Sequence, residues 1–266
     1  MGQGVRYQAF APPDALRPFV RLIWIYGDDA PSSQIQLIPP DGCPELVFDL
    51  AAPSEEAAPD GRFVPQPPVI LSGQLTRPMR LRATGPLKVM AVRFEPDGAR
   101  DFLGQPLSSI TDKRVDLTSR LSGLLVELKA APDPLPVLTH WLETERLERD
   151  WRIAPDLRER IRRLEADRPL DPIDPTQRRT LQRLYLDRVG VSERSLKSIL
   201  RFRRVFDHAE TEGASWLEAG LRAGYFDQPQ MARDFQRFLS CSATQWARDQ
   251  LELARYITSQ SYKTQA

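Results

Sequence analysis

Histidine and cysteine are scarce in this sequence, with two of each in 266 residues. His140 and His208 fall in different halves of the chain, and so do Cys43 and Cys241. A zinc or iron site needs several such ligands close together, so the sequence predicts no metal and no cofactor. Two widely separated cysteines are typical of free thiols in a cytoplasmic protein.

Long apolar runs and a secretory leader are also lacking. No run approaches the roughly 20 residues that cross a membrane, and the N-terminus lacks a basic-then-apolar start. The sequence shows no clustered histidines, paired acidic motif or nucleophile elbow, so we expect no enzyme. A cupin-type enzyme with an appended helical domain is the competing class, and metal analysis would test it.

Net charge is small, but its two signs are unevenly distributed. Residues 1–150 carry 16 basic and 20 acidic side chains, whereas residues 151–266 carry 21 and 16. A basic C-terminal half suits a polyanionic partner. The alternative is a mixed, solvated surface.

The stretch from Ser215 to Trp246 carries the strongest pattern. Ser215 and Glu218 fit a capping box, Gly224 fits a helix end, and Asp227 fits the start of a second helix. Leu217 and Leu221 are predicted to share a face of the first helix. Met231, Phe235 and Phe238 form the inward stripe of the second, which leaves Gln228, Gln230 and Arg233 facing out.

Two helices joined by a short glycine turn predict a helix-turn-helix. Glutamine pairs with adenine, and arginine pairs with guanine or phosphate, so the outward face suits a major groove. An ordinary helical hairpin with a polar outer face fits the same pattern.

The residues Ala219 to Asp227, with Gly224-Tyr225, followed by Met231-Ala-Arg233-Asp-Phe235, resemble the second helix-turn-helix of the AraC/XylS family of bacterial transcription regulators. The chain departs from that family at Ser240 and Ala243, where glycine and proline are usual. The resemblance implies a cytoplasmic, DNA-binding regulator, of activator type, with double-stranded DNA and RNA polymerase as partners.

A first unit resembles the same family between Thr176 and Asp187. Thr176 is the predicted helix cap, and the predicted DNA contacts are Gln177, Arg179, Thr180 and Arg183. A long helix from Ser192 to Glu210, containing Arg201-Phe-Arg-Arg204, is expected to join the two units. The three prolines that follow Arg168, at positions 169, 172 and 175, cannot continue a helix, so the first unit should lack its regular supporting helix.

The N-terminal half is rich in short strand patterns, typical of a barrel or sandwich. Residues 51–68 are predicted to be a mobile loop. Leu37 to Phe48, Gly73 to Pro78 and Val92 to Pro96 resemble the cupin-like domain that precedes some AraC-type domains. We therefore expect an α+β protein. A cupin-like β-barrel with C-terminal helices occupies residues 1–152, and an all-α domain with two helix-turn-helix units occupies residues 153–266.

Trp24, Glu45 and Arg93 are candidates to line a small-molecule site in the barrel. The alternative makes Trp24 a core residue, Glu45 a strand-edge charge and Arg93 an ion-pair partner. Asp97 is predicted to cap a short helix, and His140 to be half-buried. Apolar stripes in helices within residues 117–147 predict either a homodimer contact or packing on the barrel.

These patterns together predict a sequence-specific transcription regulator controlled by a small-molecule effector or a partner at its N-terminal domain. The competing hypothesis is a degenerate protein of the same fold that acts through protein–protein contacts and binds DNA weakly.

Overall fold

A computed structural model describes residues 6–32, 34–209, 215–243, 245 and 246. The architecture is mixed α+β, with strands in the N-terminal part and most helices after them. None of the described helices has the length and apolar character needed to cross a membrane. The strands are β1 (Arg6–Phe10), β2 (Val20–Asp28), β3 (Gln36–Ile38), β4 (Glu45–Asp49), β5 (Glu55–Ala57), β6 (Phe63–Pro65), β7 (Val69–Ser72), β8 (Met79–Arg82), β9 (Leu87–Phe94) and β10 (Arg114–Asp116). The helices are α1 (Arg100–Leu103), α2 (Ser122–Ala130), α3 (Pro134–Glu148), α4 (Pro155–Glu165), α5 (Pro175–Arg188), α6 (Glu193–Ala209), α7 (Trp216–Arg222) and α8 (Gln228–Leu239).

The strands form two antiparallel sheets. One has six strands in the order β1-β2-β9-β4-β7-β10, and the other has four in the order β3-β8-β5-β6. Apolar side chains from both sheets, such as Trp24 and Leu81, meet in a shared core. The described strands therefore make a two-sheet sandwich whose hydrogen bonding does not close into a single barrel. Its likeness to a cupin stays a prediction.

Alternation along β4 shows how the six-stranded sheet serves two cores. Leu46 and Phe48 face the core shared with the helices. Glu45, Val47 and Asp49 face the four-stranded sheet, because successive side chains of a strand point to opposite faces. The sheet is thus covered by helices on one side and by the second sheet on the other.

Helices α2 and α3 cover the outer face of the six-stranded sheet. Most of their leucines, and the leucine that precedes α2, are buried in that core: Leu121, Leu124, Leu125, Leu128, Leu138 and Leu142. This is the packing that the apolar stripe predicted as one of its two alternatives. Val126 and Leu147 stay exposed, and a homodimer through residues 117–147 stays a prediction.

Several local predictions about the N-terminal half are wrong. The segment 51–68 is not a loop throughout, since it contains the hairpin β5–β6. The strand pattern of this hairpin is short and lies among prolines and acidic residues, which is why the sequence did not reveal it. Asp97 does not cap α1, whose N-cap is Ala99; its carboxylate binds Arg158 instead. His140 is exposed rather than half-buried.

The apolar clusters change identity just after Trp151. Its ring packs against Phe19, Phe94 and Phe102 of the N-terminal part, whereas Leu157 belongs to a cluster with helices α5 and α6. The predicted boundary at residues 152 and 153 falls at this change and remains a prediction. Residues 168–174, between α4 and α5, contain no helix, as their prolines predict. The predicted helix end at Glu210 lies outside the described residues.

Candidate nucleic-acid interface and ligand cavity

Helix α7 begins and ends at the predicted residues, and α8 begins at the predicted residue. Ser215 Oγ accepts from the Glu218 N–H at 3.2 Å, and Glu218 accepts from the Ser215 N–H at 2.8 Å, so the capping box is present. Gly224 has φ of 89°, in the left-handed region that glycine tolerates. Asp227 then accepts from the Gln230 N–H at 2.7 Å and opens α8.

The inner face of α8 packs closely on its neighbours. Met231, Phe235 and Phe238 are buried, as predicted. Gly220 lets α8 approach α7, since a Cβ added there would lie 2.4 Å from Met231 Sδ. The outer face of α8 is therefore presented from a packed base.

An ion pair and a phenol fix α8 to α6. The Asp234 carboxylate accepts from Arg201 at 2.8 Å and from the Tyr225 hydroxyl at 2.9 Å. The Arg201 guanidinium also lies 4.3 Å from the centre of the Tyr225 ring. Burial, together with the Asp234 charge, raises the pKa of Tyr225 above its usual range, so the phenol stays protonated and donates. Sequence reasoning missed this cluster; an acidic residue beside the inward Phe235 was its only signal.

The side chains of α8 that are predicted to contact DNA differ in their exposure and in their hydrogen bonds within the protein. Gln228 and Arg233 are exposed. Gln230 is partly buried, and its Oε1 accepts from the Phe226 N–H at 3.0 Å. Its amide group keeps its two N–H donors for another partner.

Helix α5 begins two residues earlier than predicted. Asp174, not Thr176, is the N-cap, and Gln177 completes its capping box by accepting from the Asp174 N–H at 3.2 Å. Asp174 is the N-cap rather than Thr176 because it directly precedes Pro175, and proline fits the first helical position. Gln177, Arg179, Thr180 and Arg183 are all exposed, so Gln177 lies at the surface with its carbonyl already engaged.

The exposed side of α7 carries two leucines beside the charged Glu218 and Arg222. Leu217 and Leu221 are 44% and 52% exposed, and Phe226 in the following turn is 89% exposed. The buried face of α7 is instead made by Ala219, Gly220 and Ala223, because only small side chains allow α6 and α8 to approach. The two leucines share a face, but that face meets solvent.

The C-terminal helices contact the N-terminal part through polar side chains. Asp187 of α5 accepts from Arg100 at 2.8 Å, and the Gly190 carbonyl accepts from the Thr111 hydroxyl at 2.6 Å. Further pairs join the same two parts: Asp97 with Arg158, Asp101 with Arg188, and Arg21 with Glu165. The two parts are therefore held together at several points.

Trp24, Glu45 and Arg93 come together in the structure. Glu45 Oε1 accepts from Trp24 Nε1 at 3.0 Å and from Arg93 Nε at 2.7 Å. Trp24 is buried and Arg93 is ion-paired, as the structural alternative predicted. All three also line a cavity of about 80 Å³ between the two sheets, so the arrangement is compatible with both interpretations.

The turn that follows β3 connects this cavity to α6. Asp41 lies 3.3 Å from Arg93 Nε, and its backbone carbonyl accepts from Arg203 at 3.5 Å. Gly42, with φ of 89°, packs against Leu196 and Leu200 of α6. The turn therefore contacts both Arg93 in the cavity and the helix that precedes α7.

Within the described ranges, no three or more His, Cys, Asp or Glu side chains are placed to hold a metal ion.

Comparison with known proteins gives limited matches. Residues 8–116 match a family model described as "Domain of unknown function (DUF6597)", which is less than half of the chain. No curated protein matches the sequence.

Among solved structures, the chain is similar to ToxT from Vibrio cholerae. An apo variant of that protein shares 10% identity, covers 84% of this chain and 96% of its own, and gives a TM-score of 0.46. The form bound to an unsaturated fatty acid shares 11% identity, with coverage of 84% and 94% and a TM-score of 0.46. A form bound to (E)-4-(8-methylnaphthalen-1-yl)but-3-enoic acid shares 10% identity, with coverage of 90% and 97% and a TM-score of 0.46. Likeness at this level supports no inference about function.

Proposed function

We propose that this protein is a sequence-specific, DNA-binding transcription regulator whose α8 enters the major groove. The observation that carries the proposal is the α7–α8 pair, in which a glycine turn leads into a helix with a buried base and a polar outer face. Gln228 and Arg233 project from the first half of α8, the part of a recognition helix that contacts base edges. Their donors suit adenine and guanine.

The Asp234 cluster supports this proposal by fixing the orientation of α8. Base recognition requires the contacting side chains to be held by a rigid second layer. Arg201 and Tyr225 provide that layer by binding Asp234, the residue next to Arg233 on α8. The groove-facing residues are thus free of the contacts that hold the helix.

We assign α5 a smaller share of the affinity. Its exposed residues Arg179, Thr180 and Arg183 suit a second contact, but Gln177 is partly used by the helix cap. Its C-terminal end is held to the N-terminal part through Asp187, and residues 168–174 immediately before it contain no helix.

The N-terminal sandwich is proposed to control DNA binding through a small molecule. The cavity lined by Trp24, Glu45 and Arg93 is the proposed site, and the turn containing Asp41 is the proposed route to α6. A homodimer through residues 117–147 and a contact with RNA polymerase belong to the same proposal as partners.

The test is a gel-shift titration on a site selected from random duplexes. Arg233→Ala should weaken binding by about 1–3 kcal/mol, with unchanged thermal stability. Arg62→Ala, which removes an exposed arginine of the β5–β6 hairpin, is the matched control and should bind like the parent chain. If Arg233→Ala binds the selected site as tightly as Arg62→Ala and the parent chain, α8 is not part of the DNA interface.

A second function is favoured by the exposed face of Leu217, Leu221 and Phe226, which suits a protein partner. A salt titration with nonspecific duplex separates the two functions. DNA binding that falls steeply with salt supports the regulator, whereas no binding even at low salt supports the protein-contact function.

A further inference from the structure

The cavity between the sheets has an uneven charge. Three carboxylates line it, on Asp41, Glu45 and Asp49, against one guanidinium on Arg93. Arg93 is only 1% exposed and lies within 3.3 Å of both Asp41 and Glu45. The positive charge of Arg93 is therefore already balanced by two carboxylates, those of Asp41 and Glu45.

Asp49 lies at the other end of the cavity. It shares the inward face of β4 with Glu45, four residues away, which places the two side chains about 13 Å apart along the strand. Asp49 is 6% exposed, and its Oδ2 accepts from the Ser54 N–H at 3.3 Å. Its Oδ1 is buried and has no hydrogen-bond partner among the described residues. A buried carboxylate oxygen without a donor is costly, so this end of the cavity favours a donor.

The rest of the lining suits the apolar part of an amine. Tyr26, Val47 and Leu87 border the same cavity, and an aromatic face attracts a cation. The volume of about 80 Å³ has room for a small organic group. A cleft of about 440 Å³ adjoins it and shares Gln66, Leu75 and Met79 with its lining, so part of a longer ligand could lie there.

We propose that this cavity binds a small organic cation, an ammonium group whose N–H donors contact Asp49 and whose carbon chain packs against Tyr26, Val47 and Leu87. The proposal rests on the proposed function, because it names the class of effector for the site assigned there. A carboxylate ligand is disfavoured, since it would enter beside three acidic side chains and only one base.

The experiment compares three isosteric probes: n-propylamine, propionate and 1-propanol. Binding to the full-length chain is measured by ligand-observed NMR at pH 7.5 and constant ionic strength. We expect saturable binding of the amine, at least tenfold weaker binding of the other two, and at least a tenfold loss of amine affinity in Asp49→Asn. Asp14→Asn, at an exposed carboxylate, is the control and should bind the amine like the parent chain.

Propionate binding as tightly as the amine, amine affinity unchanged in Asp49→Asn, or no binding of any probe would each overturn the proposal. A thermal melt of Asp49→Asn accompanies the titration, so that loss of binding is not confused with loss of fold. The assay contains no DNA, so its failure leaves the gel-shift result with Arg233→Ala standing, and the reverse also holds.

Discussion

Removing one partner of the buried pair between Asp97 and Arg158 should destabilise the protein strongly. Asp97 Oδ1 accepts from Arg158 Nε at 2.8 Å, and the two side chains are 0% and 6% exposed. Asp97 follows β9 and Arg158 lies on α4, so the pair joins the strand-rich part to the C-terminal helices. Asp97→Ala leaves a guanidinium that cannot lose its proton, and we expect a loss of about 3–5 kcal/mol in the free energy of unfolding.

The reciprocal variant should behave differently because a carboxyl group can take up a proton. Burial raises the pKa of Asp97 even with Arg158 beside it, and Arg158→Met removes the charge that opposes this rise. A raised folded-state pKa means that stability is retained at low pH and lost as pH rises through that pKa. Arg158→Met should therefore cost less at pH 5 than at pH 8.

The measurement is urea unfolding followed by tryptophan fluorescence at pH 5 and pH 8. The double variant Asp97→Ala/Arg158→Met should be more stable than Asp97→Ala alone, because no unpaired charge remains. Asp29→Ala, which breaks an exposed pair with Arg6, is the control and should have little effect. The reasoning would be refuted if Asp97→Ala lowered the free energy of unfolding by less than about 1 kcal/mol, which is the range of surface pairs. It would also be refuted if the double variant were no more stable than Asp97→Ala.

Three further outcomes are expected. Asp234→Ala should lower the free energy of unfolding by about 1.5–3 kcal/mol, because Arg201 and Tyr225 lose their common acceptor. The same variant should weaken DNA binding, and normal DNA affinity would contradict a role of Asp234 in orienting α8. Ser240→Gly should raise stability by up to about 1 kcal/mol, since Ser240 ends α8 at φ of 58°; a lower melting temperature would show that its side chain matters more. Burial raises the pKa of Asp49 to about 6, with the Ser54 N–H and Lys129 opposing, so the group destabilises the fold increasingly as pH rises from about 4 to 6. Asp49→Asn should then be up to about 3 kcal/mol more stable at pH 7.5 and equal to the parent near pH 4, and a difference independent of pH would rule this out.

Helix ends and inward stripes in the C-terminal part were predictable because they depend on neighbours within four residues. Ser215 with Glu218, Gly224 and Asp227 each act locally, and the structure places them at helix ends. The errors came where two local signals compete. Thr176 and Asp174 both fit a cap, and the position of Pro175 decided between them.

The candidate cavity was predicted only in part. Trp24, Glu45 and Arg93 stood out as polar or aromatic residues in strand patterns, but Asp49 did not, since it falls at a strand end where an acid is ordinary. Its burial depends on the second sheet and on the turn through Ser54. The exposure of Leu217 and Leu221 also depends on tertiary structure, because the close approach of Met231 to Gly220 places α8 on the face of α7 that carries the small residues.

The sequence by itself determined that strands fill the N-terminal part and helices follow, the glycine and aspartate boundaries of α7 and α8, and the buried stripe of Met231, Phe235 and Phe238. Those features follow from backbone preferences and short-range periodicity. Tertiary structure alone decided that Asp234 would join Arg201 and Tyr225, that Asp97 would meet Arg158, and that Asp49 would be buried beside the cavity. Such contacts link residues far apart in the chain, and only the packing of sheets and helices brings their charges within reach of one another.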